Sequence, residues 1–174
     1  STMETADVQA LATNQVAALG SAQVGALSTD AIVALTSTQV AALTSKQVAG
    51  LTTDQMGAIE SGDLKSLNTA ALRALTSDQL NALHTDQIGA LTTQQVASLT
   101  TGQVSNLTSD DLNALTSGQI KALTTQQLQS LTTGQIASME SLDVAALNTN
   151  QVIALGSAQI GALSTDSIVA LTSS

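Results

Sequence analysis

An eight-residue repeat runs through almost all of this 174-residue chain, and it restricts the possible folds more than any other feature does. The segment from Met3 to Ala170 divides into 168/8 = 21 octads without insertion or deletion. Typical octads read LTSTQVAA (35–42), LTTQQVAS (91–98) and LTTGQIAS (131–138). Self-similarity at a fixed period is the sequence signature of repeat architectures. We therefore expect residues 1–174 to form a single octapeptide-repeat solenoid.

The eight columns of the repeat differ in what they accept. Position 1 is nearly always Leu, position 3 is Ser or Thr, position 6 is always Val, Ile, Leu or Met, and position 8 is small. Positions 4 and 7 vary and carry all four bases, so we expect them to face water and positions 1 and 6 to form the core. Position 5 is Gln in most octads, and the main substitutes there are Asp7, Asp63, Asp111 and Asp143.

A longer repeat lies above the octad. The segment that begins at Leu11, LATNQVAALGSAQVGALSTDAIVALTS, returns from Leu147 as LNTNQVIALGSAQIGALSTDSIVALTS. The offset between Leu11 and Leu147 is a whole number of octads, 17. This near-identity indicates duplication of a long block, and it predicts that the chain is a fragment of a larger array.

A period of eight requires a bend in every octad. In a continuous helix, one octad turns about 80° past two full turns, so the Leu column would wind around the helix. Coiled coils need periods near 3.5 or 3.67. In a flat strand, positions 1 and 6 would point to opposite faces. The backbone must therefore change direction once in each octad.

The residues after each Leu resemble the start of a helix. Thr36 precedes Gln39 by three residues, as Thr92 precedes Gln95, and this is the spacing of a capping box. The Ser or Thr at position 3 is the alternative cap. We predict an all-α solenoid with one helix of about five or six residues per octad and a corner of two or three residues. Such short helices are unstable alone, so stacking must stabilise them.

The number of octads per coil rests on weaker signals. Asp30, Asp54 and Asp78 recur at every third octad, which fits three octads per coil. Ser66, Ser98 and Ser130 recur at every fourth octad, which fits four. We favour three, because a narrow core needs only Leu, Val and Ala. The rival fold is a β-solenoid with ladders of Thr, Val and Ile.

Composition excludes several classes of function. There is no Cys for disulfides, thiolate metal sites or a nucleophile, and no aromatic residue for stacking nucleic-acid bases. The net charge of −9 opposes binding to phosphates. No apolar run approaches the length of a membrane span. We expect no enzymatic activity, no cofactor, no catalytic or metal-ligating residues, no nucleic-acid partner and no membrane insertion.

Three groups of polar residues require separate consideration. His84, the single histidine, occupies position 2, and we interpret it as a cap or surface residue. We assign Asp110 and Asp111 to a solvated helix N-terminus, where negative charge is favourable. With three octads per coil, Asp30, Asp54 and Asp78 would stack, but the sequence lacks the Gly-containing calcium loops that would support metal binding there.

The Thr columns and the glycines permit one further hypothesis each. Regularly spaced Thr rows on a solenoid could order water, as ice-binding solenoids do, but several residues interrupt these rows. The interruptions are Glu4, Glu60, Glu140, Asn68, Gly156 and His84. The glycines, among them Gly20, Gly25 and Gly50, follow no phosphate-loop pattern, and we interpret them as tolerated small residues.

The octads LTTQQVAS (91–98) and LTSGQIKA (115–122) resemble tandem repeats in very large bacterial secreted or cell-surface proteins, often labelled adhesin or haem-utilisation. The resemblance implies an extracellular or cell-surface spacer, stalk or repetitive adhesive surface, with other surface proteins or glycans as partners. It carries no functional residue over to this chain. The alternative function is a ligand-binding array for ice, calcium or a glycan on the stacked Thr and Asp columns.

Overall fold

The computed structural model describes residues 5–172, which contain 21 short α-helices and no strand. They group into two compact units that divide between Leu91 and Thr92. The helices of the first unit are α1 (Thr5–Ala10), α2 (Thr13–Ala18), α3 (Ser21–Gly25), α4 (Thr29–Val33), α5 (Ser37–Ala41), α6 (Ser45–Ala49), α7 (Thr53–Ala58), α8 (Ser61–Leu64), α9 (Thr69–Arg73), α10 (Ser77–Asn81) and α11 (Thr85–Ala90). Those of the second are α12 (Thr93–Ser98), α13 (Thr101–Ser105), α14 (Ser109–Asn113), α15 (Ser117–Ala122), α16 (Thr125–Ser130), α17 (Thr133–Ser138), α18 (Ser141–Ala146), α19 (Thr149–Ala154), α20 (Ser157–Ala162) and α21 (Thr165–Thr172).

Each helix begins where the sequence predicted a cap, and the structure decides which residue caps it. The residue at position 2 precedes the first helical residue, so the Ser or Thr at position 3 lies inside the helix. At Thr36, the side-chain oxygen accepts a hydrogen bond from the Gln39 N–H, while Gln39 Oε1 accepts one from the Thr36 N–H at 2.8 Å. Both halves of the capping box are therefore present.

The corner between helices needs no glycine. Before α5, the cap residue Thr36 has φ −76° and ψ 158°, and extended values of this kind recur at the cap residues before α2 to α20. No described residue has a positive φ. A β-branched Thr tolerates the extended conformation. The bend is thus built from ordinary backbone at positions 1 and 2, in agreement with the predicted short corner.

Helices pack against the third helix along the chain. In the first unit α1 contacts α4, α2 contacts α5, and this pattern continues to α8 with α11; in the second unit it runs from α12 with α15 to α18 with α21. One coil therefore contains three octads. The spacing of the Asp series was the correct indication, and the spacing of the Ser series was misleading.

The core consists of the predicted aliphatic columns. At position 6, Val48, Leu80 and Ile120 have no exposed surface, and at position 1, Leu43 and Leu75 are 1% and 4% exposed. Each such side chain contributes roughly 1.5–3 kcal/mol on burial. The all-α solenoid is confirmed, and the β-solenoid is wrong for residues 5–172, because short capped helices let these two columns share one interior.

Candidate functional site

The column of residues at octad position 5 forms a regular series of buried polar side chains. Every polar or charged residue that is buried in the described part of the chain belongs to this column. The set comprises Gln39, Gln47, Gln55, Gln79, Gln87, Gln95, Gln103, Asp111, Gln119, Gln127, Gln135, Asp143, Gln151, Gln159 and Ser167. Burying an amide is unfavourable unless its hydrogen bonds are made, so these side chains need hydrogen-bond partners inside the protein.

The Oε1 atom of the column closes the N-terminus of its own helix. Gln127 Oε1 accepts from the Thr124 N–H at 2.7 Å. The same bond forms where the cap residue contributes no side-chain bond, as from the His84 N–H to Gln87 Oε1 at 2.7 Å and from the Gly156 N–H to Gln159 Oε1 at 2.9 Å. The glutamine thus secures the corner whatever residue occupies position 2.

The Nε2 group points the other way, to the preceding coil. Gln47 Nε2 donates to the carbonyl oxygens of Val16 and Leu19, at 2.7 and 2.9 Å. Gln127 Nε2 donates to those of Val96 and Leu99, at 2.9 and 2.8 Å. In both cases the acceptors stand at position 6 of one octad and position 1 of the next. Gln39, Gln55, Gln79, Gln87, Gln135, Gln151 and Gln159 make the equivalent pair of bonds.

These bonds solve a problem that very short helices create. A helix leaves its first four N–H groups and last four C=O groups without intrahelical partners, which in a helix of five residues is most of the backbone. The side chain at position 2 and Gln Oε1 accept hydrogen bonds from N–H groups at the start of their own helix. Gln Nε2 donates to C=O groups at the end of a helix in the coil before it. Each bond contributes about 0.5–1.5 kcal/mol net.

The capping half of this role was predicted from the sequence, and the bonds between coils were not. One signal was present in the sequence. A capping box accepts Glu as readily as Gln, yet the 21 octads have Gln at 21 − 7 = 14 of these positions, with four Asp, two Ala and one Ser, and never Glu. A bias of this kind indicates that the NH₂ group is used as a donor, because the NH₂ group is what Gln has and Glu lacks.

Where position 5 lacks an amide, a neighbouring residue can replace it. Ala71 occupies the column in α9, and the cap residue there is Asn68 rather than Thr. Asn68 Oδ1 accepts from the Ala71 N–H at 2.9 Å, and Asn68 Nδ2 donates to the Leu43 carbonyl oxygen, also at 2.9 Å. Leu43 stands to Ala71 as Leu19 stands to Gln47, so its carbonyl is the acceptor that a glutamine at position 71 would use. Position 2 here keeps its capping bond and also makes a donation that position 5 makes in other octads.

Asp143 shows the consequence of a substitution without a replacement donor. This residue is only 6% exposed and occupies the glutamine column of α18. Burial, and secondarily the negative charge of Glu140, raises the pKa of the Asp143 carboxyl. An ionised carboxylate only accepts hydrogen bonds. It therefore cannot donate to the carbonyls of Leu112 and Leu115, which occupy the acceptor places of the preceding coil.

The assignment of Asp110 and Asp111 to a solvated helix N-terminus is half correct. Asp110 is exposed, but Asp111 is 4% exposed. Asp111 Oδ2 accepts from the Thr108 hydroxyl at 2.6 Å, and the Asp111 N–H donates to Thr108 Oγ1 at 3.1 Å. Asp111 thus belongs to a capping box, because it stands in the buried glutamine column.

Glycine has a packing role at one contact between coils, which corrects the expectation that all the glycines are merely tolerated. A Cβ atom at Gly25 would lie 2.5 Å from the Gly50 carbonyl oxygen, and a Cβ at Gly50 would lie 2.9 Å from Ser21 Cβ. Position 7 of one octad here borders position 8 of the octad three later. Asn113 uses the same relation between positions 7 and 8 to donate to the Ser138 carbonyl oxygen at 2.9 Å. Position 7 is therefore partly an interface column.

The three aspartates that recur at every third octad lie on helices that pack in succession. Asp30 is on α4, Asp54 on α7 and Asp78 on α10, and all three are exposed. Within residues 5–172 there is no group of three His, Asp or Glu side chains arranged to hold a metal ion. The helices that carry this Asp series thus pack on one another in order, as three octads per coil requires.

His84 and the Thr columns take the places that the capping interpretation gave them. His84 is the cap residue of α11 and borders a shallow, open depression with Thr53, Asp54, Gly57, Ala58 and Ala82. Thr hydroxyls at position 2, such as those of Thr92 and Thr132, accept from backbone N–H groups. These hydroxyls are engaged in holding the corners.

The model of the ALTTAQ repeat matches residues 1–37, 32–59, 56–93, 106–141 and 136–173, which together leave only 94–105 and Ser174 uncovered. The chain belongs to the ALTTAQ repeat family. A comparison with curated proteins gave no match. None of the helices described for this ALTTAQ repeat chain is long and apolar enough to cross a membrane.

Proposed function

We propose that this ALTTAQ repeat chain is a non-enzymatic structural region, a spacer or stalk in a large bacterial secreted or cell-surface protein. The observation that carries the proposal is the repeated glutamine bond between coils. The same two hydrogen bonds join coil after coil within each unit, so further octads add length without needing any new kind of contact.

The distribution of polar groups supports this proposal. The buried polar side chains of residues 5–172 belong to the position 5 column, and most are glutamines hydrogen-bonded to backbone. The exposed positions 4 carry unrelated residues, including Thr38, Lys46, Asp54 and Gly62. A spacer requires regular internal bonds and tolerates variation outside. An adhesive surface would instead depend on particular residues at those outer positions.

Two variants of the same coil distinguish a spacer from an adhesive surface. Deletion of residues 35–58 removes three whole octads and keeps the later octads on their faces. The matched variant Thr38→Ala/Lys46→Ala/Asp54→Ala changes only outer position 4 of that coil. If the region is a spacer, the deletion should change how far the parent surface protein reaches, and this change should alter the adhesion of cells. The triple substitution should leave adhesion unchanged.

Loss of adhesion with the triple substitution as well as with the deletion, which removes the same three residues, would assign adhesion to the repeat surface. The proposed location is tested separately, by labelling intact cells with an antibody to this chain. Labelling that requires lysis of the cells contradicts a surface location. A calcium-dependent rise in melting temperature, abolished by Asp54→Asn, would favour the ligand-binding array instead.

A further inference from the structure

All three glutamates of the chain stand at octad position 2, and each lies three residues before an aspartate at position 5. The pairs are Glu4 with Asp7, Glu60 with Asp63, and Glu140 with Asp143. The helix dipole favours each acid separately but does not explain why they occur together. Capping does not explain it either, because Glu60 and Glu140 make no side-chain capping bond, whereas Asp111 forms a capping box with a Thr. Two carboxylates so close in sequence repel each other, so the pairing indicates a positively charged ligand.

Asp143 is buried without a partner of opposite charge. Its side chain is 6% exposed and lies on α18, which packs against α15 and α21. Among residues 5–172, no group donates a hydrogen bond to the Asp143 carboxylate and no base forms an ion pair with it. Buried carboxylates are normally paired or bound to a metal, because an isolated buried charge is unfavourable. The charge that does act on Asp143 is that of Glu140, which is also negative.

The coil before Asp143 supplies oxygen atoms at the same corner. In an octad with glutamine, the NH₂ group lies near two carbonyl oxygens of that coil, as Gln87 Nε2 does at 3.3 and 2.6 Å. For Asp143 the carbonyls in these places are those of Leu112 and Leu115. The Leu115 carbonyl accepts from no residue that the structure describes, and the Leu112 carbonyl accepts from the Leu115 N–H at 3.2 Å. The place that an amide nitrogen takes elsewhere thus faces two carbonyl oxygens and a carboxylate.

We propose that a calcium ion takes the place of the NH₂ group at this corner. Its ligands are the carboxylates of Glu140 and Asp143 and the carbonyl oxygens of Leu112 and Leu115. Carboxylate and backbone carbonyl oxygens are the usual ligands of Ca²⁺, which accepts about six to eight oxygens in flexible geometry. Water and the second carboxylate oxygens complete the set. Mg²⁺ fits less well, because it keeps several of its waters and requires near-octahedral geometry.

This site departs from the expectation, made from the sequence, that the chain has no metal-ligating residues. Only two of its ligands are side chains, so it is not one of the clusters of three acidic side chains that residues 5–172 lack. The ion joins α18 to the coil before it, as the glutamine NH₂ group joins the coils in other octads. Calcium thus strengthens one particular contact between coils. This inference does not depend on the spacer function proposed above.

The test follows hydrogen exchange and thermal unfolding of the 174-residue chain at neutral pH in EDTA, in calcium and in magnesium. Calcium at about ten times its dissociation constant should raise Tm by about 3–6 °C. It should slow exchange in α18 and in the corner between α14 and α15. Asp143→Gln replaces the ion with an amide, so this variant should be the more stable protein in EDTA and should lose the effect of calcium on α18.

Three further variants separate this site from other carboxylates. Glu140→Thr restores the common cap residue and removes one ligand, so calcium binding should weaken at least about tenfold. Asp110→Asn removes an exposed charge from the same unit, and Asp54→Asn removes one from the series at every third octad; both should respond to calcium like the unaltered chain. The proposal is overturned if calcium has no effect on α18 or if its effect survives Asp143→Gln. An equal effect of magnesium at the same concentration also overturns it, because general screening of charge would then be the cause.

Discussion

At the scale of single residues, the glutamine at position 5 performs two tasks. Its carbonyl oxygen accepts from the cap N–H of its own helix, and its NH₂ group donates to the coil before it, as Gln127 does with Thr124, Val96 and Leu99. Glutamate can perform the first task and not the second. The free energy of unfolding should therefore respond to this one change of group.

Gln127→Glu tests this directly. The variant keeps the bond from the Thr124 N–H but loses both donations and buries a charge, so we expect unfolding to become easier by about 1–3 kcal/mol. Gln126→Glu is the matched control, because Gln126 is the adjacent exposed residue and a negative charge near a helix start is tolerated. Urea denaturation followed by circular dichroism measures both. Equal effects would contradict the role of the amide.

The raised pKa of Asp143 predicts a pH dependence of stability that is opposite in sign to that of most acidic residues. Because its pKa is raised in the folded state, the ionised form disfavours folding. Below the ordinary pKa of an aspartate, the carboxyl is protonated in the folded and in the unfolded state, so this unfavourable contribution is absent. The penalty grows as pH rises from that value to the raised one and is constant above it.

Asp143→Gln removes the charge and restores the donor. We expect the free energy of unfolding to rise by about 1–3 kcal/mol at pH 7 and by less in acid, where the Asp143 carboxyl is itself protonated. Asp143→Asn also removes the charge, but its side chain is one methylene shorter, so its gain at pH 7 should be smaller. Melting temperatures of the three proteins at several pH values decide the matter. A gain that does not change with pH would show that ionisation of Asp143 is unimportant.

At the scale of the helix, the unit of stability is a helix together with the corner of the coil before it. A helix of five residues has too few internal hydrogen bonds to be stable by itself. The contacts that complete it come from outside, and they are distributed differently in different octads. In α9, Asn68 makes a donation to the preceding coil that a glutamine makes elsewhere, because Ala71 at position 5 has no polar side chain.

This transfer of a donation from position 5 to position 2 predicts a coupling between the two positions. Asn68→Thr keeps a capping oxygen but loses the donation to Leu43, and we expect a loss of about 1 kcal/mol. Asn148→Thr should change stability by less than about 0.5 kcal/mol, because Gln151 supplies the donations in that octad. Asn68→Thr/Ala71→Gln should recover the loss, as measured by urea denaturation. If the double variant is no more stable than Asn68→Thr, the two positions are not coupled.

The distance between packed helices predicts opposite effects for two glycine substitutions. Gly25→Ala places a Cβ against the Gly50 carbonyl, and we expect a loss of about 1–3 kcal/mol. Gly62→Ala meets no atom within 4 Å and should be neutral or stabilising by up to about 1 kcal/mol, since alanine favours helix. Thermal melts of both variants provide the measurement. A Gly25→Ala protein as stable as the unaltered chain would show that α3 and α6 can move apart without loss.

At the scale of the whole molecule, each unit is a stack in which a coil depends mainly on the coils next to it. Such quasi-one-dimensional proteins have stabilities that are sums of repeat and interface terms. The expected consequence is that damage spreads only to nearby coils.

Leu75→Asp tests how far damage spreads. Leu75 is 4% exposed, so the variant buries an unpaired charge, and we expect a loss of at least about 3 kcal/mol with unfolding of several neighbouring coils. Lys121→Ala, at an exposed position 7, should change stability by less than about 0.5 kcal/mol. Hydrogen exchange resolves the affected helices. Uniform loss of protection throughout residues 5–172 would contradict local dependence on neighbouring coils.

The sequence by itself determined the helices, the bends and the core. The period of eight excluded a straight helix, the spacing of Thr36 and Gln39 located a helix start, and the aliphatic columns identified the buried faces. All of these are local properties, since they depend on residues a few positions apart. The spacer function and its location remain predictions from the sequence and the family.

Only the tertiary structure decided how coils recognise one another. The bonds from Gln47 to Val16 and Leu19, and the approach of Gly25 to Gly50, join residues that lie about one coil apart along the chain. These separations follow from three octads closing one turn, the number that the sequence favoured over four on weak signals. The physical reason is that the acceptors of these hydrogen bonds are backbone carbonyls, and every residue has a backbone carbonyl. No side-chain pattern marks which carbonyls will lie beneath the next coil.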